Sequence, residues 1–190
     1  MPDYLENEMD HSARKMSSAV GNSAWGTMLS LSLTLTLVLG LAIAPNSAFA
    51  GQQFPLGPDL QMTPGSLCNR GSTTRYPERI RYCARHVDPQ LKNQIIRDYD
   101  MELGYNVRQM ARRKFKIDHF IPLCAGGSNN VDNLWPQHES VYEITDPLEP
   151  AVCEKMAAGR LLQVDAIILV RQAKTDLSKA REILSYIESL

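Results

Sequence analysis

From Lys116 to Gln137 the chain reads KIDHFIPLCAGGSNNVDNLWPQ, and this stretch limits the fold more than any other. The run FKIDHFIPL is rich in β-branched and aromatic residues and has strand character. Gly126-Gly127-Ser128-Asn129-Asn130 within Pro122 to Asp132 is turn chemistry, and Asn133-Leu134-Trp135 resumes as a second short strand. The turn therefore brings Asn133 back beside Asp118 and His119. Gly126 and Gly127 are read as backbone necessities and not as a phosphate loop, because no helix N-terminus follows them directly. Trp135, large and next to Leu134, is expected in the core. A histidine in an apolar strand is more often a hydrogen-bonded structural residue than a catalyst, so the surrounding pattern has to carry any chemical reading of His119. Neighbours on a regular strand point to opposite faces. Asp118 and His119 can thus face one common site only if the backbone departs from ideal pleating there.

The rest of the chain arranges itself around that segment. Residues 1–50 read as a leader: Arg14 and Lys15 precede an uncharged run from Met28 to Pro45, and Ala48-Phe49-Ala50 has the small-residue spacing of a cleavage site. An uncleaved anchor is the alternative, since the run is just long enough to span a bilayer. Residues 51–66, rich in Pro and Gly, form an irregular lead-in. Asp88-Pro89 predicts a helix N-cap and first helical residue, with Leu91, Ile95 and Ile96 as a buried stripe and Gly104 as the stop. Asp146-Pro147 with Glu149 predicts another helix start, ending at Gly159. Beyond it, Leu161, Val164, Ile167, Ile168, Leu177, Ile183, Leu184 and Ile187 recur at helical spacing, which predicts one or two packing helices over 160–190 with no catalytic role.

All four cysteines, Cys68, Cys83, Cys124 and Cys153, follow the leader. An even count in an exported chain reads as two disulfides in an oxidising compartment, periplasmic or extracellular. None are spaced as Cys-x-x-Cys, which disfavours a zinc ribbon, and all three pairings remain open. Charge is segregated. Arg70 to Lys116 holds twelve Lys/Arg against five Asp/Glu, a net of +7, whereas Ile117 to Leu190 holds six against eleven. A basic segment beside an acidic one suits a polyanion cradle next to an acid-base or metal centre. Arg108, Arg112, Arg113, Lys114 and Lys116 are the candidate nucleic-acid contacts, a solvated face being the plainer reading of such a run. His86 has no partner motif and reads as surface.

The core D-H-x-I-P-L, G-G-S and N-L-W-P-Q, carried by Asp118, His119, Ile121–Leu123, Gly126–Ser128 and Asn133–Gln137, resembles the small exported branch of the HNH, or ββα-metal, nucleases. That resemblance implies an α+β fold: an HNH domain over 67–190 with its motif core at 115–158, additional packing helices at 160–190, and disulfide staples. It implies a metal-dependent endonuclease that hydrolyses nucleic-acid phosphodiesters, DNA first and RNA second, with little sequence specificity. His119 would be the general base, Asp118 a ligand to one divalent ion, and Asn133 the residue that orients His119 through backbone contacts. Mg²⁺ or Mn²⁺ suits a hard carboxylate, with Ca²⁺ and Zn²⁺ as alternatives. The family's next ligand position falls on Tyr142, which cannot serve, so His138 is the candidate further ligand, with Glu139 and Glu143 as acidic alternatives. From the recurring positions of Cys68 and Cys153, the resemblance further implies Cys68–Cys153 and hence Cys83–Cys124. The competing expectation is an exported nucleic-acid-binding module on the same scaffold that does not cut.

Overall fold

The computed structural model describes residues 52–190. The leader expected over 1–50 lies outside the described residues. Among the described residues, two short antiparallel sheets, five α-helices and several 3-10 turns make a mixed α and β structure, and two disulfides hold it. Strands β1 (Thr73–Arg75) and β2 (Ile80–Tyr82) form a basic hairpin that local sequence did not predict. Its Arg75 guanidinium lies 3.3 Å from the centroid of the Tyr82 ring.

Helix α1 (Pro89–Leu103) begins and ends where the sequence predicts. The Asp88 carboxylate accepts from Leu91 N at 2.8 Å, Pro89 supplies the first turn, and Gly104 adopts the left-handed conformation at φ 74°. Its buried face, Ile95, Ile96 and Tyr99, shares a core with Phe115, Ile117, Leu134 and Trp135. Those four residues belong to the central hairpin, in which β3 (Phe115–His119) pairs antiparallel with β4 (Leu134–His138), from Phe115 opposite His138 to His119 opposite Leu134. Trp135 is fully buried, as expected.

Strand β4 runs on through Pro136, beyond the Asn133-Leu134-Trp135 stretch read from the sequence. A two-stranded sheet has only edge strands, so a residue without an N–H costs it no obligatory ladder bond. The loop between the strands is closed by the Asn133 side chain, which accepts from Ile121 N at 2.8 Å and donates to Ile121 O and Ser128 O at 3.0 and 2.9 Å. Gly127 is required by close approach: a Cβ there would sit 1.9 Å from Ile121 O.

Helix α2 (Glu139–Thr145) follows β4 directly, capped by His138, whose Nδ1 accepts from Ser140 N. The helix predicted from Asp146-Pro147 is present within a residue of its expected start: Asp146 closes α2, and α3 (Leu148–Ala157) begins after Pro147 with Glu149 in its first turn. Helices α4 (Gln163–Thr175) and α5 (Ala180–Ser189) complete a second core with α3 around Leu148, Val152, Met156, Val170, Ile183 and Ile187. Val164 and Ile168, counted in the apolar repeat, are instead exposed.

The cysteine pairing implied by the resemblance is also corrected. The bridges are Cys68–Cys83 and Cys124–Cys153. The β1–β2 hairpin turns the chain so that Cys83 returns to Cys68, with Cα atoms 5.7 Å apart, while α3 presents Cys153 to the hairpin loop. Closing a loop of 15 residues contributes about 3 kcal/mol in the chain-entropy picture. Two disulfides fit an oxidising, exported environment. Among the described residues, no helix is long and apolar enough to cross a membrane.

Candidate functional site

Strand β3 keeps its regular pairing through His119, so Asp118 and His119 take different partners. Asp118, 7 % exposed, receives the Lys174 ammonium on Oδ2 at 2.7 Å, and the same Nζ donates to His119 O at 2.7 Å. Lys174 sits in the last turn of α4 and is only 3 % exposed. Helix α4, expected to pack with no catalytic role, thus contributes one side chain to the motif. Burial alone would raise the Asp118 carboxyl, but the charges of Lys174 and then Lys116 outweigh it and hold the group below the usual carboxylate range. The Lys116 ammonium is 3.9 Å from Oδ1 and is paired with Asp146.

His119 bonds through Nε2 to Asn129 Oδ1 at 3.1 Å. Asn129 is itself fixed from the far side, its Nδ2 donating to Ala84 O at 2.8 Å and its Oδ1 accepting from His86 N at 3.2 Å. The amide oxygen thus faces the imidazole. His119 must donate from Nε2, and the lone pair stays on Nδ1. Arg85, exposed, donates to Ile117 O at 3.0 Å, two residues along β3, and its charge reaches the His119 ring. Burial pushes the His119 imidazole down to about 4, against the opposing Asn129 hydrogen bond; Arg85 lowers it further and the Asp118 charge opposes. His119 is neutral at pH 7.

This shift sets a stability window. Unfolded, a histidine titrates near 6.5. The stabilisation tied to a neutral His119 is therefore complete above that pH and is lost as pH falls from about 6.5 to about 4, by roughly 3 kcal/mol. Urea unfolding between pH 7 and pH 4 is expected to show that fall, flattened in His119→Gln. A residual slope combines His138, which burial also holds below its ordinary value, with Glu149, whose carboxyl burial raises and which therefore acts in the opposite sense. Equal slopes in the two proteins would contradict the burial of a neutral His119.

The other expected site residues scatter. Asn133 is buried and clamps the loop without touching the His119 ring; its contacts reach His119 only through the backbone of Phe120 and Ile121. His138 pairs with Phe115 at the far end of the hairpin, so it lies three strand positions from Asp118, roughly 10 Å, and on the opposite face. Its ring stacks on Phe54 at 3.8 Å and meets Phe115 at 5.0 Å, leaving Nε2 buried without a partner. Lys114 pairs with Glu139 at 3.0 Å and Arg108 with Asp100 at 3.5 Å, while Arg112 donates to Phe115 O at 2.7 Å. Arg113 is exposed.

These donors do not fit a divalent ion as they are arranged. Asp118 already holds an ammonium, the unpartnered His138 nitrogen is walled by aromatic rings, and His119 turns to Asn129. Among the described residues, one group gathers three metal-type donors, Cys124, Glu149 and Cys153, but both of its sulfurs are consumed in one disulfide. Reading the sequence missed Lys174, Asn129 and Arg85. Lys174 could have been noticed, because it falls four residues beyond Val170 and eight beyond Ala166, on the buried face of α4. No protein-family model, no curated protein and no solved structure matches this chain.

Proposed function

We propose that this protein is an exported nuclease of the HNH type, hydrolysing nucleic-acid phosphodiesters with His119 as general base. The observation that carries the reading is the imidazole itself: buried, neutral at pH 7, held in one tautomer by Asn129, and reached by the Arg85 charge. Nδ1 would take a proton from the attacking water as its oxygen bonds to phosphorus, and Arg85 would offset the extra negative charge that develops on the phosphate. The P–O bond to the leaving sugar oxygen would break, with that oxygen taking a proton from solvent water. The hairpin β3–β4 running straight into α2 supports a ββα arrangement, and the +7 segment supports a polyanionic substrate bound through its backbone. Because Asp118 is engaged by Lys174, no step is routed through a metal ion.

The test is to incubate the purified protein with supercoiled plasmid, single-stranded DNA and RNA, each with and without Mg²⁺ or Mn²⁺. Strand breaks in at least one substrate are expected without added metal as well as with it. None under any condition would reject the reading. The Lys174–Asp118 pair also favours a second reading, a nucleic-acid-binding module that does not cut. That reading requires salt-dependent binding that survives His119→Ala without cleavage.

A further inference from the structure

The basic segment does more than present charge. A cleft of about 310 Å³ opens between α1, the turns on either side of Met110, and the start of β3. Its floor is apolar and includes the buried Ile96, Val107 and Phe115, and its rim carries Arg97, Arg108 and Arg112. Two of these arginines were candidate nucleic-acid contacts; Arg97, from α1, joins them. Lys114 and Lys116 instead turn to Glu139 and Asp146 and do not line the cleft.

The local acid does not neutralise the rim. Asp100, its side chain 6 % exposed, accepts from Val107 N and Arg108 N at 2.7 and 3.0 Å and meets Arg108 through Nε, leaving the outer nitrogens of Arg108 out of that pair. Arg112 engages only Nη1 with Phe115 O. Planar guanidiniums around an apolar floor match a ligand with an aromatic face and flanking anionic oxygens. The volume lies at the low end for small-ligand pockets, enough for one planar group and not for a helix.

We propose that this cleft is a single-strand subsite that takes one unstacked base of the nucleic acid, with the neighbouring phosphates on Arg97, Arg108 and Arg112. This rests on the reading of the protein as acting on nucleic acid. A duplex keeps its bases stacked and could offer the cleft only its backbone. A single strand can splay one base into it, and stacking of a base on a protein surface is worth about 1–3 kcal/mol.

Fluorescence anisotropy on the full protein tests this with three labelled probes: a short single strand, the same backbone made abasic, and the blunt duplex. The intact strand is expected to bind about tenfold tighter than the abasic one. Asn93→Trp, an exposed lining position on α1, fills the cleft and is expected to reduce the intact strand to the abasic affinity with an unchanged Tm. Arg97→Ala weakens both single strands and lowers the salt slope by about one, whereas Arg181→Ala on α5 changes neither. Equal affinities for intact and abasic strands, a preference for the duplex, or a preference that survives Asn93→Trp would overturn the subsite and leave the nuclease reading standing. Absence of binding to every probe would overturn both.

Discussion

Lys174→Met is expected to lower the stability of the protein by about 3–5 kcal/mol, the range for breaking a buried ion pair by removing one partner. The ammonium satisfies two acceptors at once, Asp118 Oδ2 and His119 O, each at 2.7 Å, and both side chains of the pair are buried. Without it the carboxylate stays in the core with only Lys116 nearby, which is 3.9 Å away and committed to Asp146. The pair is not thereby a large net gain over an apolar alternative. Its size as a mutational effect comes from the charge left behind. Two companion results follow. Relative to the unmutated protein, Lys174→Met should recover part of its deficit on mild acidification, because an unpaired buried carboxyl has a folded pKa above its unfolded one and protonation then favours the folded state, while both proteins lose the His119 contribution over the same range. Asp118→Asn combined with Lys174→Met should recover most of the loss, since no buried charge remains. Urea unfolding of the three proteins measures this directly. A loss below about 1 kcal/mol in Lys174→Met would mean that the ammonium is not held where it stands here.

His119→Ala is expected to lower cleavage by about 10²–10⁴-fold while leaving substrate affinity within about twofold, because a general base acts on the reacting proton and not on the phosphate backbone. The pH dependence carries a signature. With the imidazole at about 4, the base is already unprotonated well below neutrality, so cleavage should rise through that region and stay flat from about pH 5 to 7. An ordinary surface histidine would place the rise near 6.5 instead. Asn129 contributes by fixing the tautomer, with its own amide held by Ala84 O and His86 N. Its removal would scramble which nitrogen carries the proton.

What was legible in the sequence was local. Asp88-Pro89 and Gly104 mark α1 because a cap, a proline and a left-handed glycine act within one turn of the backbone. The Gly-rich loop was legible because Gly127 answers a close approach to Ile121, a few residues away. The features that decide the site are set by tertiary contacts. Lys174 reaches Asp118 across 56 positions, and nothing near either residue announces the other. Cys153 could meet Cys124 only once α3 had packed on the loop, so spacing left the pairing open and resemblance pointed elsewhere. His138 has the chemistry of a ligand, yet strand register sends it to the far end and other face of the hairpin, where it caps α2. Even the second strand, read from the sequence over Asn133-Leu134-Trp135, runs on through Pro136 to His138 because β4 has a free edge.

The decisive measurement is the rate of nucleic-acid cleavage by the purified protein in excess EDTA, run beside His119→Ala under the same conditions. Cleavage that persists within about twofold in EDTA and falls at least about a hundredfold in His119→Ala is the expected result, with His119 as the base and Lys174 holding the position beside Asp118. Cleavage that vanishes in EDTA and returns with Mg²⁺ or Mn²⁺, or cleavage that His119→Ala leaves untouched, would contradict it.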